Sequence, residues 1–225
     1  MTIILSESDP EGCAACSART YPQNAYRNGL LYPAYTAAAM AKMIDLADRH
    51  QVNLEGMLTW AFEFEDQLYF DGFRTLATNG IDKPILNLFR MAGLLGNRRV
   101  QSSPGAPALA TRSARDVTIL IWNYNDDELP APPAQVRLNI AALPLDIARA
   151  LIEHYRIDET HSNAYSAWKR MDSPQNPTPE QYAELEATGQ LQLLESPRWI
   201  SIAQGAATLE FPLPRHAVSL VRVLW

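Results

Sequence analysis

The first 96 residues alternate strand-like and helix-like patterns, and the rest of the chain does not; this change of texture limits the fold more than any other feature. Thr2 to Leu5 is a short apolar, β-branched run that reads as a strand beginning at the first residue and buried on both faces. Asp9 to Pro33 is rich in Pro, Gly, Asn and small residues, the composition of a long loop. Ala37, Met40, Ala41, Ile44 and Ala47 then recur at helical spacing, which predicts an amphipathic helix over Tyr35 to Arg49. Met57 to Phe62 reads as a second buried strand. Pro84 opens a helix that runs through Leu95 and stops at Gly96. Strands alternating with helices imply parallel β/α units. Two such units cannot close a sheet by themselves.

After Gly96 the pattern is all-β. Ser102 to Pro107 is a linker, Val117 to Tyr124 is a strong strand, and Asn125-Asp126-Asp127 with Pro130, Pro132 and Pro133 makes the loop behind it. Val136 to Ile140, Leu209 to Leu213 and Val218 to Trp225 are further strands. Leu151 to Asp158 alternates too, with a helix from Asp146 as the competing reading. One clear helix interrupts this half: Thr178 caps it, Pro179 takes its first position, Gln181 completes a capping box and Gly189 ends it. Short strands separated by turn residues predict a β-sandwich. The expected division is residues 1–98 for the β/α part and 99–225 for the sandwich.

Hydrophobic residues make up 47% of the chain and charged residues 20%, which excludes wholesale disorder. A net charge of −6 without any Lys/Arg run speaks against nucleic acid or an anionic membrane as partner. No apolar stretch approaches the roughly 20 residues of a membrane span. Met1 to Glu7 lacks the basic start and cleavage site of a signal peptide, and the choice between a cytoplasmic and a periplasmic location stays open. Cys13 and Cys16 form an isolated Cys-Ala-Ala-Cys; without a second ligand pair they read as an incidental or loop-bracing pair, with a local disulfide as the next reading.

In parallel β/α folds the reactive side chains project from the carboxyl ends of strands. Glu7 ends the first strand, and Trp60, Glu63 and Glu65 end the second. A carboxylate on one strand end beside an aromatic face on the next suits a sugar: the carboxylate meets an oxocarbenium-like centre and the ring packs on pyranose C–H groups. The competing reading is a solvated acid and a core tryptophan. Arg74 either clamps a substrate group or pairs with Asp71. Tyr21 and Tyr26 lie on the long loop and are placed to roof a pocket. His161, with Asn163, either reaches the site from a sandwich loop or belongs to a turn that caps a short helix. His50, His154 and His216 have no evident partner in the sequence.

Several segments, in order, resemble glycoside hydrolase family 39: Ile4-Leu5-Ser6-Glu7-Ser8-Asp9-Pro10-Glu11-Gly12, Leu58 to Glu65, Phe70-Asp71-Gly72-Phe73-Arg74-Thr75-Leu76, Asp82 to Asn87 and His161 to Tyr165. The resemblance is closest to bacterial β-xylosidases and more distant to α-iduronidases. It implies α/β plus all-β architecture: the last two β/α units of a (β/α)8 TIM barrel, followed by a β-sandwich. It also implies a retaining glycosidase releasing xylose from β-1,4-xylo-oligosaccharides, with xylo-oligosaccharide or aryl xyloside as substrate and no cofactor or metal. Glu7 resembles the nucleophile, and Trp60 and Glu65 the residues lining the sugar subsite; Glu63, Arg74, Tyr21 and His161 complete the candidate substrate-binding set. The family's acid/base glutamate lies in an Asn-Glu-Pro segment, and no Asn-Glu-Pro occurs here. The chain is therefore expected to be the C-terminal part of such an enzyme, incomplete by itself and partnered by the missing N-terminal barrel segment or a second copy. The rival expectations are an α-iduronidase-like glycosidase, a non-catalytic carbohydrate-binding β-sandwich, and an inert fragment.

Overall fold

The structure is a computed structural model that describes residues 2–8 and 12–225; Met1 and residues 9–11 of the expected loop, Glu11 among them, lie outside the described residues. The chain opens with β1 (Thr2–Leu5), a 3-10 turn over Pro22–Asn28, α1 (Leu31–Arg49) and β2 (Asn53–Met57). Strands β1 and β2 pair in parallel from Thr2 opposite Asn53 to Leu5 opposite Met57, the β/α alternation expected from the sequence. A small hairpin comes next, β3 (Ala77–Thr78) and β4 (Ile81–Asp82), turned by Asn79 and Gly80 at positive φ. Pro84 then begins α2 (Pro84–Gly93).

The remaining elements are β5 (Arg98–Val100), β6 (Ala108–Arg112), β7 (Asp116–Trp122), β8 (Ala134–Ile140), β9 (Arg149–Ile157), α3 (Ala164–Arg170), α4 (Pro179–Gly189), β10 (Gln192–Leu193), β11 (Arg198–Ser201), β12 (Ala207–Leu213) and β13 (Val218–Leu224). An antiparallel sheet runs in the order β10-β9-β13-β7-β6-β5, with β11 also on β9; β8 and β12 form a separate pair. Period-two alternation decides which face each residue serves. On β7 and β13, Ile119, Ile121, Val221 and Val223 turn towards Ile140, Leu209 and Leu213 of the β8–β12 pair. Leu120, Trp122, Val218 and Leu220 turn the other way, onto Ala37 and Ala41 of α1 and Ile85, Leu88 and Met91 of α2. The helices of the β/α part thus share a core with the antiparallel sheet.

Three expectations need correction. The strand expected at 57–62 lies upstream, at Asn53–Met57, because that is the stretch in register with β1; Leu58, Trp60 and Phe62 beyond it are exposed. Thr2–Leu5 is not buried on both faces: Ile4 is 55% exposed, since among the described residues β1 has a neighbour on one edge only. The first helix starts at Leu31 rather than Tyr35, with Pro33 accommodated in its first turn, where its missing N–H has no intrahelical partner to lose. Residues 149–157 are a strand, as the alternation of Leu151 to Asp158 predicts, and not the competing helix, because β13 and β11 hydrogen-bond them from both sides. The capping box at Thr178 and Gln181 forms as the sequence predicts.

Candidate active site

The carboxyl end of β1 is extended by two backbone hydrogen bonds: Leu58 N–H donates to the Leu5 carbonyl and Ser8 N–H to the Leu58 carbonyl, each at 2.9 Å. The Ser8 hydroxyl reinforces this, donating to the same Leu58 oxygen at 3.0 Å. Glu7, between these anchors, is held beside the segment that carries Trp60. That segment runs against a second one: Ala61 bridges Thr75, and Leu76 and Ala77 both donate their N–H groups to the Phe62 carbonyl at 2.9 Å. Trp60 and Arg74 are therefore brought face to face.

Arg74 ties these pieces together. Its side chain is 1% exposed, and its Nη2 donates to Oε1 of Glu7, whose side chain is 40% exposed. The guanidinium carbon lies 6.0 Å from the centroid of the Trp60 ring, in cation–π range. Burial lowers the pKa of Arg74 from its ordinary value. A solvent-accessible carboxylate is thus fixed by a buried cation that also faces a half-exposed indole.

Under Arg74 lies a polar floor. Lys83, 1% exposed, donates its ammonium to the Phe73 carbonyl at 2.7 Å, one residue before Arg74. Burial first, and the charge of nearby Arg27 second, push the Lys83 pKa down to about 7. Asn28 accepts from Gly72 N–H at 3.2 Å and donates to the Phe70 carbonyl at 2.7 Å. Cys13 and Cys16 form a disulfide, the second of the two readings their spacing allows.

The other expected site residues divide. Arg74 pairs with Glu7; Asp71, its alternative partner, instead accepts two 3.0 Å hydrogen bonds from Arg19. Glu63 is drawn off to the hairpin, where its carboxylate accepts from Gly80 N–H at 3.0 and 3.2 Å. Glu65 is exposed in a turn that Asp66 makes at positive φ, so the two acids do not alternate along one extended strand. Tyr21 is exposed at the start of the 3-10 turn, whereas Tyr26 packs edge-on against Tyr32 at 6.0 Å, in the core rather than over the pocket. His161 sits in the turn after β9, with Nδ1 2.9 Å from Asp158, and Asn163 caps α3: the turn reading of that motif holds. His154 and His216 do find partners, Ser219 at 2.9 Å and the Asn125 carbonyl at 3.0 Å. Sequence reasoning missed Arg27 and Lys83, both 1% exposed, since each stands beside a polar residue in the sequence that gives no sign of burial. Among the described residues no three His, Cys, Asp or Glu side chains gather as a metal-binding group, and no helix is long and apolar enough to cross a membrane.

Comparison with known proteins gives the class of the chain. Residues 15–204 match the model of glycosyl hydrolases family 39, and the chain belongs to that family. It is 22% identical over 209 residues to a β-xylosidase of Geobacillus stearothermophilus, covering 90% of this chain and 39% of the relative. Among solved structures it resembles a monomeric β-xylosidase from Caulobacter crescentus, with TM-score 0.74, 18% identity and coverage of 90% of this chain and 43% of the other. It also resembles a bacterial orthologue of human α-L-iduronidase, with TM-score 0.78, 21% identity and coverage of 100% and 42%. The chain thus spans about two fifths of the length of the relatives it matches.

Proposed function

We propose that this chain carries the nucleophile half of a retaining β-xylosidase acting on xylo-oligosaccharides or aryl xylosides, with Glu7 as nucleophile, Arg74 as the group that orients it, and Trp60 as the sugar platform. The Glu7–Arg74 pair against Trp60 carries this reading. On this reading β1 and β2 are the seventh and eighth strands of a (β/α)8 barrel in residues 1–98, and the antiparallel sheets of 99–225 are its β-sandwich. The parallel pairing of β1 with β2, and a core between the antiparallel sheet and the β8–β12 pair drawn only from residues beyond 98, support that division.

In this mechanism Glu7 attacks the anomeric carbon, the aglycone leaves, and a glycosyl ester forms on a Glu7 carboxylate oxygen. Water then attacks from the face the aglycone left and displaces Glu7, so two inversions give net retention. Retaining hydrolysis needs a second carboxyl group about 5–5.5 Å away to protonate the leaving oxygen. Glu63 is committed to the Gly80 turn, and no Asn-Glu-Pro stands in the sequence, so that acid is proposed to come from barrel strands outside these 225 residues or from a second copy. General-acid assistance is worth about 10²–10⁴ in rate. The uronidase alternative needs a cation for the substrate carboxylate; Arg74, its nearest candidate, is already engaged by Glu7.

The test compares two substrates. With 2,4-dinitrophenyl β-D-xyloside, whose leaving group needs no proton, the 225-residue chain is expected to release dinitrophenol slowly, and Glu7→Gln none. With p-nitrophenyl β-D-xyloside, which leaves poorly without acid help, release falls by about 10²-fold or more. Equal release by Glu7→Gln overturns the assignment; rapid turnover of both substrates shows that the acid is already present in this chain.

A further inference from the structure

The Cys13–Cys16 disulfide closes a loop whose carbonyl groups are engaged by the floor of the site. Arg27 Nη1 donates to the Cys13 carbonyl at 2.9 Å, Asn24 Nδ2 to the Cys16 carbonyl at 3.0 Å, and the Arg74 N–H to the Ala14 carbonyl at 3.0 Å. Just beyond the disulfide, Ala18 N–H donates to the Asp71 carbonyl at 2.6 Å. The two segments run so close that a Cβ on Gly72, whose φ is +78°, would lie 2.5 Å from the Ala18 methyl. The residue that holds Glu7 is thus tied through its own backbone to the middle of the disulfide loop.

Two features make this loop separable from the rest of the fold. Ala14 is buried, but Cys13 is exposed and neither cysteine belongs to a hydrophobic cluster, so opening the loop takes little apolar surface from cover. Exposure of Cys13 also gives a small thiol access to the bond.

We propose that Cys13–Cys16 is a reversible thiol–disulfide exchange site that sets the position of Arg74, with a dithiol as its reductant. A dithiol thiolate attacks the Cys13 sulfur, the S–S bond breaks and Cys16 leaves as thiolate, taking up a proton. The dithiol's second thiolate then attacks the mixed disulfide, so that Cys13 is released as a thiol and the reductant departs as its own cyclic disulfide; two electrons pass to the protein. The reduced loop no longer holds the Ala14 carbonyl on the Arg74 N–H. The consequence for activity rests on Glu7 being the nucleophile; the exchange and its effect on Arg74 do not.

Residue-resolved hydrogen–deuterium exchange on the full chain, with and without dithiothreitol, tests it, complete reduction being verified by alkylation of both thiols. Reduction is expected to speed exchange at the Arg74 amide about tenfold, the factor that corresponds to losing one ordinary hydrogen bond, while the Leu220 amide in the core is unaffected. Cys13→Ser/Cys16→Ser shows the fast rate with or without dithiothreitol. Unchanged exchange at Arg74 after full reduction overturns the proposal, and so does faster exchange at Leu220 as well, which would make the disulfide a general staple. Redox-dependent exchange at Arg74 together with no reaction of Glu7 with xylosides in either state would overturn the proposed function and leave this inference standing.

Discussion

The parallel pair β1–β2 and the central strand β13 are both short lengths of paired strand, yet they live in different surroundings. In β13, Val218, Leu220, Val221 and Val223 are fully covered, by helices on one face and by β8–β12 on the other. At β1–β2, Ile4 is 55% exposed, and Leu58, Trp60 and Phe62 just beyond are 52%, 51% and 57% exposed. The first region is held by burial. The second is held by directed polar contacts: the Leu5–Leu58–Ser8 backbone relay, the Glu7–Arg74 pair and the Lys83 ammonium on the Phe73 carbonyl. The candidate site is built against the second region, a scaffold with little apolar cover of its own, where among the described residues β1 keeps one unpaired edge of the kind that invites pairing.

The difference has measurable consequences. Leu220→Ala should cost about 3–4 kcal/mol of unfolding free energy in urea titrations, as a large-to-small change in a closed core does, whereas Ile4→Ala should cost less than about 1 kcal/mol. Equal costs would erase the contrast. Arg74→Met comes next: it removes a buried cation from a half-exposed carboxylate, and about 2 kcal/mol should go with it, less than for a pair buried at both ends. Glu7→Gln, which leaves a neutral acceptor beside Arg74, should cost less than Arg74→Met in the same titrations.

Lys83 sharpens the comparison through pH. Its pKa of about 7 in the fold lies below the 10.5 of the free group, so between those values the unfolded chain binds the extra proton and the native chain does not. Stability attributable to Lys83 therefore rises with pH from about 7 to 10.5 and is flat below 7. Relative to Lys83→Met, the wild type should gain up to about 1.4 kcal/mol per pH unit in that window; parallel profiles would show that burial leaves Lys83 an ordinary cation. In the antiparallel half, Thr178→Ala loses one side of the capping box at α4 and should cost about 1 kcal/mol, without changing the Arg74 amide's exchange rate.

The same contrast governs what the sequence disclosed. Strands β7 and β13 were legible because burial on two faces demands a continuous β-branched and apolar run, and the α4 caps were legible because capping is local. The β3–β4 hairpin was missed although Asn79-Gly80 is a strong turn signal, because its strands are only two residues each and carry no periodicity. Glu7 and Trp60 could be picked from their places at strand ends, but the pairing of Glu7 with Arg74 spans 67 residues and leaves no local trace. Glu63 and Glu65 stand together in the sequence at the end of the expected second strand. The left-handed turn at Asp66 and the pull of the Gly80 amide on Glu63 separate them, and neither is encoded by spacing.

The role of Glu7 can be tested chemically by treating the chain with 2,4-dinitrophenyl 2-deoxy-2-fluoro-β-D-xyloside and mapping the modified peptide by mass spectrometry. The fluorine slows hydrolysis of a glycosyl ester more than its formation, so the nucleophile stays labelled. One fluoroxylosyl group per chain is expected, on Glu7, absent from Glu7→Gln and slower to form in Arg74→Met. A label on Glu63 or Glu65, or none on a folded chain, would contradict the assignment of Glu7 as nucleophile.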